Sequence, residues 1–559
     1  MYERETLTRT IVYGARLVRT MDPAQPTAQA VAVRGDRIRA AGSVEELLAY
    51  PDAVYDPRFE EHVLLPGFVE AHSHAESGGV WDGVYVGYVD RVDPSGTRWP
   101  GCRSIAEVLA RLQEAEARMD DPDRTLLAWG FDPIYFADQV LTAHELDRVS
   151  ATRPIYVTHT SGHACTVNTR TVQVCRIGAH TDVPGVATDA AGDPTGELHE
   201  FEAMELAAPV VDGGGLAAVS HETLLRFGQD AVNTGTTTLT DLGSPYLMDD
   251  AGVDIFRGAV DEAFPARLNV FHAGAGMGPV PGTFAEAARR ISALARQSTP
   301  RLRFGNVKLM LDGTLQGFTA KVRPPGYLRS DSTGMWNISP QEYREAFETF
   351  HRAGMTIHVH CNGDDATELF LDTLEAVQIA HPRPDHRHTC THSQMTTAAQ
   401  YRRMAALGAC ANVFANHIWA YGDQHLDITV GPDRARRNNA AATALRHGVP
   451  ISLHSDTPVT PLGPLATVKH AVTRRTVSGR VMGEHERIDV AQALEAVTLG
   501  GAYMLKMDHE VGSIEAGKFA DLAVLAEDPL AVDPLDIGDI HVLGTMVGGT
   551  FHPSNIGSA

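Results

Sequence analysis

The chain has little cysteine. Its six, Cys102, Cys165, Cys175, Cys361, Cys390 and Cys410, form no C-x-x-C pair in 559 residues. A disulfide framework and a thiolate zinc site are thereby excluded as expectations. Long apolar runs are missing too, and none reaches the roughly 18 residues that a membrane-crossing helix needs. The opening MYERETLTRT has no basic stretch followed by an apolar one, so no secretory signal is expected. Positive charge is short: 47 Lys+Arg against 70 Asp+Glu leave a net charge of −23. Such a surface repels phosphate backbones and anionic lipid, so neither nucleic acid nor a membrane is an expected partner. Together these absences favour a reduced, cytoplasmic protein.

What is present is ordinary globular composition, 43% hydrophobic and 21% charged. The length suits one large barrel plus an accessory domain, or three small domains. Both ends read as short strands with glycine turns, TIVYGARLVRT and QAVAVRGDRIRAAG in front, GSIEAGKFADLAVLA and HVLGTMVGGTFH behind. Each half is marginal alone, so one small β-sandwich domain built from residues 1–64 and 510–559 is expected. Between them, over 65–509, β-branched runs alternate with helical stretches, the pattern of a parallel α/β sheet. Eight strands are predicted at 62–72, 234–243, 267–274, 304–313, 355–363, 386–394, 409–417 and 449–458. Helices such as PQEYREAFETFHRAG and TTAAQYRRMAALG follow them. Eight such units predict a TIM-type (β/α)8 barrel. The gap from about 75 to 216 is too long for one crossover. It reads as an insertion after strand 1, at the face where barrel active sites lie.

Histidine is plentiful, 26 residues, with three H-x-H pairs: His72/His74, His358/His360 and His386/His388. A shuffled chain of this composition would hold about one, so spacing alone says little. Position says more. His72 and His74 end predicted strand 1, and alternate residues of a strand share a face. His360 ends strand 5, His392 strand 6 and Asp456 strand 8, and Lys308 lies in strand 4. Each has an ordinary explanation as a core polar group; six converging on one barrel mouth do not. Neutral imidazole and carboxylate are ligands that zinc, manganese and iron accept.

LPGFVEAHSH resembles the opening motif of the metal-dependent amidohydrolase superfamily. WGFDP, SGHACTVN, PTGELHE, VKLMLDGTLQGFTA, HCNGD, THSQ, HSDTPV and GSIEAGKFADLAVLAEDPL narrow the likeness to the N-substituted formamide deformylase-like (YtcJ-like, amidohydrolase family 3) branch. The resemblance implies His72 and His74 on a first metal and His360 and His392 on a second. Lys308 would bridge the two as a carbamate, since a free ammonium is a poor ligand. Asp456 would touch the first metal and move protons. The cofactor implied is one or two divalent ions, zinc first, manganese or iron as alternatives. His454, where the pattern has small residues, and His358 are read as supports that orient ligands. His386 and His388 lie away from the mouth.

The reaction expected is hydrolysis of a carbon–nitrogen bond in a small-molecule, formamide-like amide. Metal-activated hydroxide would attack the carbonyl and Asp456 would shuttle the proton. His163 would stabilise the oxyanion or hold substrate. Trp129, Asp132, Tyr135, Trp336, His417 and Trp419 are candidates for the pocket wall. The rivals are a cyclic amide or imide hydrolase, a decarboxylase, a deaminase and a non-catalytic scaffold. Gly363 stands where deaminases of the superfamily carry a glutamate, and the filled ligand positions disfavour a scaffold. Homodimer formation is left open.

Overall fold

The computed structural model describes residues 9–136, 139–178, 181, 183–211, 218–278 and 281–557. Four strands come first: β1 (Thr10–Arg19), β2 (Thr27–Arg34), β3 (Arg37–Gly42) and the long β4 (Ala53–Pro66). The two-residue β5 (Phe68–Val69) follows after one glycine. The predicted strand 62–72 is thus two strands, a correction with a local cause. Pro66 cannot donate to a ladder, and the Gly67 amide bonds to Asp521 O at 2.9 Å instead. A Cβ on Gly67 would stand 2.0 Å from the Thr237 hydroxyl, so only glycine fits this break.

The insertion carries β6 (Val84–Tyr85), the β7 (Arg91–Val92) and β8 (Arg98–Trp99) hairpin, β9 (Leu126–Phe131), β10 (Ile155–His159), β11 (Ala164–Val167), β12 (Val186–Thr188) and β13 (Pro194–His199). Six of these form one mixed sheet, β12-β13-β11-β10-β9-β6. The helix Ile105–Glu116 packs Ile105, Val108, Leu109 and Leu112 beneath it, in the same core as Leu126, Ala128 and Val157. The predicted end of the insertion, near 216, lies outside the described residues.

The chain then gives β14 (Thr236–Ser244), β15 (Arg267–Ala275), β16 (Leu302–Met310), β17 (Ile357–Cys361), β18 (Thr389–His392), β19 (Cys410–Val413) and β20 (Ile451–Leu453). With β5 they make an eight-stranded parallel sheet in strict chain order, the order of a TIM-like barrel. Beyond the ladders, Asp456 N donates to His72 O at 3.1 Å and His74 N to Thr457 O at 3.0 Å. The segments after the first and last strands are thereby joined. Helices close the outer layer where the sequence supplies caps. Pro340–Arg352 starts at Ser339, whose hydroxyl accepts from Glu342 N. Ala398–Leu407 has a Thr397/Gln400 capping box and stops at Gly408, φ 71°.

Strand alternation sorts the residues. Ile357, Val359 and Cys361 of β17, Ala411 and Val413 of β19, and Ile451 and Leu453 of β20 face the main core, with Phe347, Phe350, Phe370 and Leu374. Their alternates, His358, His360, Asn412 and Ser452, are buried on the other face. Finally β21 (Leu522–Leu525), β22 (Val542–Val547) and β23 (Thr550–Pro553) join β1–β4 in a seven-stranded sheet, β23-β22-β21-β4-β1-β2-β3. Val63 and Leu65 of β4 enter the barrel's core, while Leu64 packs with Tyr13, Val31 and Leu522. Both termini are fastened to the barrel this way.

Candidate metal centre and catalytic pocket

The mouth of the eight-stranded sheet gathers histidines around one carboxylate. His72 Nε2 and His74 Nε2 lie 3.1 and 3.2 Å from Asp456 Oδ1. These two nitrogens are 3.3 Å apart. His392 Nδ1 is 3.9 Å from Asp456 Oδ2 and 3.1 Å from His454 Nε2. His72, His392, His454 and Asp456 each offer a ligand atom, all within 4.8 Å of one another, and all four residues are buried. His360 packs its ring 4.5 Å from that of His392. The backbone is strained at two of these points, with φ 68° at His392 and 54° at Asp456. Side chains in the left-handed region cost energy, and such strain collects at functional sites.

Burial sets the charge states. Desolvation holds His72, His360, His392 and His454 well below the usual histidine range, as neutral rings with a lone pair to offer. His74 differs: burial opposes its charge, but Asp456 beside it wins and raises its pKa. Asp456 responds in kind; burial works against its ionisation, yet His74 and then Lys308 bring the pKa below the usual value. Lys308 is fully enclosed, and burial lowers its ammonium to about 7. Its Nζ has no hydrogen-bond partner, nor has His72 Nδ1. Asp312 does not hold Lys308. Its carboxyl accepts from the amides of Lys321 (2.9 Å), Asn362 (3.1 Å) and Gly363 (2.7 Å) and faces His360 Nδ1 at 3.1 Å.

Beside the cluster opens a cavity of about 400 Å³ lined by Asp132, His159, His163, Glu197, His199, Glu200, Thr314 and Phe318, among others. His163 links the two, lining the cavity with its ring 5.3 Å from that of His360. Its Nδ1 is 2.7 Å from Glu200 Oε2. Burial disfavours a charged His163, but Glu200 outweighs it and raises the pKa; Glu200 moves down by the same pairing. Glu200 sits at φ 63° and also accepts from Asn337 Nδ2 at 3.0 Å.

Of the six wall residues predicted from sequence, Asp132 lines this cavity and the other five are not among its lining residues. Trp129 is packed against Trp81 and Tyr85. Tyr135 stacks on Tyr88 and donates its hydroxyl to Ala420 O at 2.6 Å. Trp419 stacks on His470, and His417 lies 4.0 Å, ring to ring, from Phe414. Trp336 carries Lys321 over its ring at 5.8 Å. Trp129 packs inside the insertion and Tyr135 bonds across to the barrel, while His417 also lies 5.9 Å, ring to ring, from His392 at the mouth.

PTGELHE carries Glu200 with no role legible in the sequence, and Asp312 in VKLMLDG reads there as a pairing partner for Lys308 rather than as the partner of His360. Asn412 and Glu70 carry no legible role either. Glu70, pushed by burial to about 8, accepts from the amides of His72 (3.3 Å) and Ser455 (3.2 Å). It ties the first mouth segment to the last.

Residues 60–552 match the pattern described as the amidohydrolase family. The chain belongs to that family. Within it, the chain is 27% identical over 566 residues to the N-substituted formamide deformylase of Arthrobacter pascens, covering 97% of this chain and 98% of that protein. It is 25% identical over 540 residues to Protein LONG AFTER FAR-RED 3 of Arabidopsis thaliana, covering 95% and 89%. Among solved structures, an uncharacterized metal-dependent hydrolase from Pyrococcus horikoshii OT3 superposes with a TM-score of 0.69 at 18% identity, covering 94% of this chain and 99% of that one. The amidohydrolase-type fold follows from these likenesses, and the family match supports hydrolase activity.

Proposed function

We propose that the protein hydrolyses a non-peptide carbon–nitrogen bond, that of a small formamide-like amide, with a divalent metal at the mouth cluster. The observation that carries this is the set of neutral, buried imidazoles facing one ionised carboxylate, beside a cavity of small-molecule size. The donor chemistry fits a metal: lone-pair nitrogens 3.1 Å from a carboxylate oxygen, with His72 Nδ1 and Lys308 Nζ left unpartnered. His72, His74, His360, His392 and Asp456 would hold it, with Lys308 as carbamate or neutral amine. A bound divalent ion supplies an acidified water and a polarised carbonyl.

The chain's own groups do the rest. Asp456, ionised and held by His74, accepts the proton of the attacking water and returns it to the leaving nitrogen. Glu200 accepts the Nδ1–H of His163 and favours its protonated form, whose Nε2–H donates to the substrate oxygen as charge builds there. The buried mouth keeps bulk water from competing for both groups. Zinc is the first choice of metal, as one ion or two. The terminal sheet, residues 1–64 with 510–559, is read as a small β-sandwich domain serving the barrel of 65–509 and its insertion of about 75–216.

The test is metal analysis of the purified protein. It is followed by assays on N-substituted formamides, cyclic imides and aminated heterocycles after chelation and metal return. Formamide turnover that disappears and returns with the metal is expected. Turnover confined to another panel member would replace the substrate class. Lys308→Ala that keeps its full metal content would remove that residue from the ligand set.

A further inference from the structure

His454 was expected to support the ligands from behind. Its geometry is that of a ligand. The ring is 1% exposed, with His72 stacked at 4.7 Å and Phe414 at 4.7 Å. Its Nδ1 faces Asn412 Oδ1 at 2.7 Å. That oxygen also accepts from Ser452 Oγ at 2.8 Å, and the Asn412 amide nitrogen points to Ala71 O at 3.4 Å. Asn412 therefore presents an acceptor to His454, so Nδ1 carries the proton and Nε2 carries the lone pair. A partner that fixes the remote nitrogen of a metal-binding histidine is the common arrangement around such sites.

That lone pair looks into the cluster. His454 Nε2 is 3.1 Å from His392 Nδ1, which is 3.9 Å from Asp456 Oδ2, and His72 Nε2 is 3.1 Å from Asp456 Oδ1. Two ligand atoms on a tetrahedral ion with bonds of about 2.0–2.1 Å stand about 3.3 Å apart. The three observed separations bracket that edge. Strand parity explains why the residue is here. Asn412, Ser452 and His454 alternate to the inner face, so the ring and its orienting amide come from neighbouring strands in one layer.

We propose that His454 is itself a metal ligand, joining His72, His392 and Asp456 in the group whose ligand atoms lie within 4.8 Å of one another, beside His74 and His360. This rests on the reading of the mouth as a metal centre. It adds a donor that makes the site nitrogen-rich, suited to a borderline cation of the zinc class over magnesium or calcium. Asn412 is then a positioning residue for that ligand.

The experiment is a crystal structure of the full wild-type chain loaded with zinc ion, using anomalous scattering to place the metal. Zinc at about 2.0–2.1 Å from His454 Nε2 is the expected result. Zinc held by other residues with His454 out of bonding range, or no zinc bound, overturns the proposal. A competition titration with His454→Gln gives a second reading on a variant that can still accept a hydrogen bond from His392. Loss of zinc affinity beyond the roughly 10- to 100-fold cost of a missing orienting partner is expected. Unchanged affinity overturns the proposal. The functional reading is separate. Zinc on His454 in a protein that cleaves no amide would leave this inference standing and sink the hydrolase. Metal-dependent turnover with His454 off the ion would do the reverse.

Discussion

Two buried histidine clusters sit in this barrel, and each contains an H-x-H pair. At the mouth, His72, His74, His392 and His454 point ring nitrogens at one another and at Asp456. At the other end of β17 and β18, His351, His386 and His388 are equally enclosed, yet all six ring nitrogens have protein partners. His388 Nδ1 accepts from Ile357 N at 3.0 Å, and its other nitrogen meets His351 Nδ1 at 2.9 Å. His351 Nε2 then donates to His381 O, and His386 Nε2 to Leu407 O, both at 2.8 Å. His386 Nδ1 accepts from His388 N at 2.9 Å. The chain runs one way, so each ring is neutral with its tautomer fixed. Burial therefore does not distinguish the two clusters; what does is that the mouth rings converge on one carboxylate, while the bottom rings are paired off to backbone and to one another.

The comparison can be broken at either end. The largest effect is expected at the mouth. Asp456→Asn removes the proton acceptor and should lower turnover by about 10²- to 10⁴-fold. Full turnover in that variant would end its role as shuttle. Next comes metal linkage. At a free zinc concentration about 100 times the dissociation constant, the folded state should gain about 2.7 kcal/mol, read as a raised unfolding midpoint that chelation reverses. Mouth variants should lose this gain and bottom variants keep it.

At the bottom, His388→Leu strands the Ile357 amide and His351 Nδ1 in the core. Roughly 2–4 kcal/mol of stability should be lost, measured by urea unfolding, with metal content intact. A smaller and graded effect is expected from pH. Burial depresses His386 to about 4 and also lowers His388 and His351. The unfolded chain then binds more protons than the folded one between roughly pH 6.5 and pH 4, so stability should fall as pH falls through that window. Urea unfolding of the chelated protein at pH 7 and pH 5 checks the sign, and His386→Asn should flatten the slope. A flat profile in the wild type would mean these rings are not held neutral.

The sequence carried the strand sites well because apolar periodicity is a local property. Seven of the eight predicted strands overlap single observed ones, and the eighth was split by Pro66-Gly67, where one apolar run serves two sheets. His72, His392 and Asp456 were legible as residues at strand ends. Asn412 and Glu70 were not, because partners 42 and 385 residues away define their roles. His454 was visible in the sequence, but strand parity alone cannot say whether an inner-face ring orients a ligand or is one. Of the proposed wall residues only Asp132 lines the cavity beside the mouth. Trp129, Tyr135 and Trp419 look alike in sequence whether they line a cavity or fill a seam.

The central claim is that the mouth histidines gathered around Asp456 bind metal and the mutually paired bottom ones do not. Calorimetric titration of zinc into the metal-stripped protein, with His392→Ala and His386→Ala run side by side, tests it most directly. The account predicts wild-type binding in His386→Ala and binding lost or severely weakened in His392→Ala. Equal binding in the two variants, or none in the wild type, would contradict it.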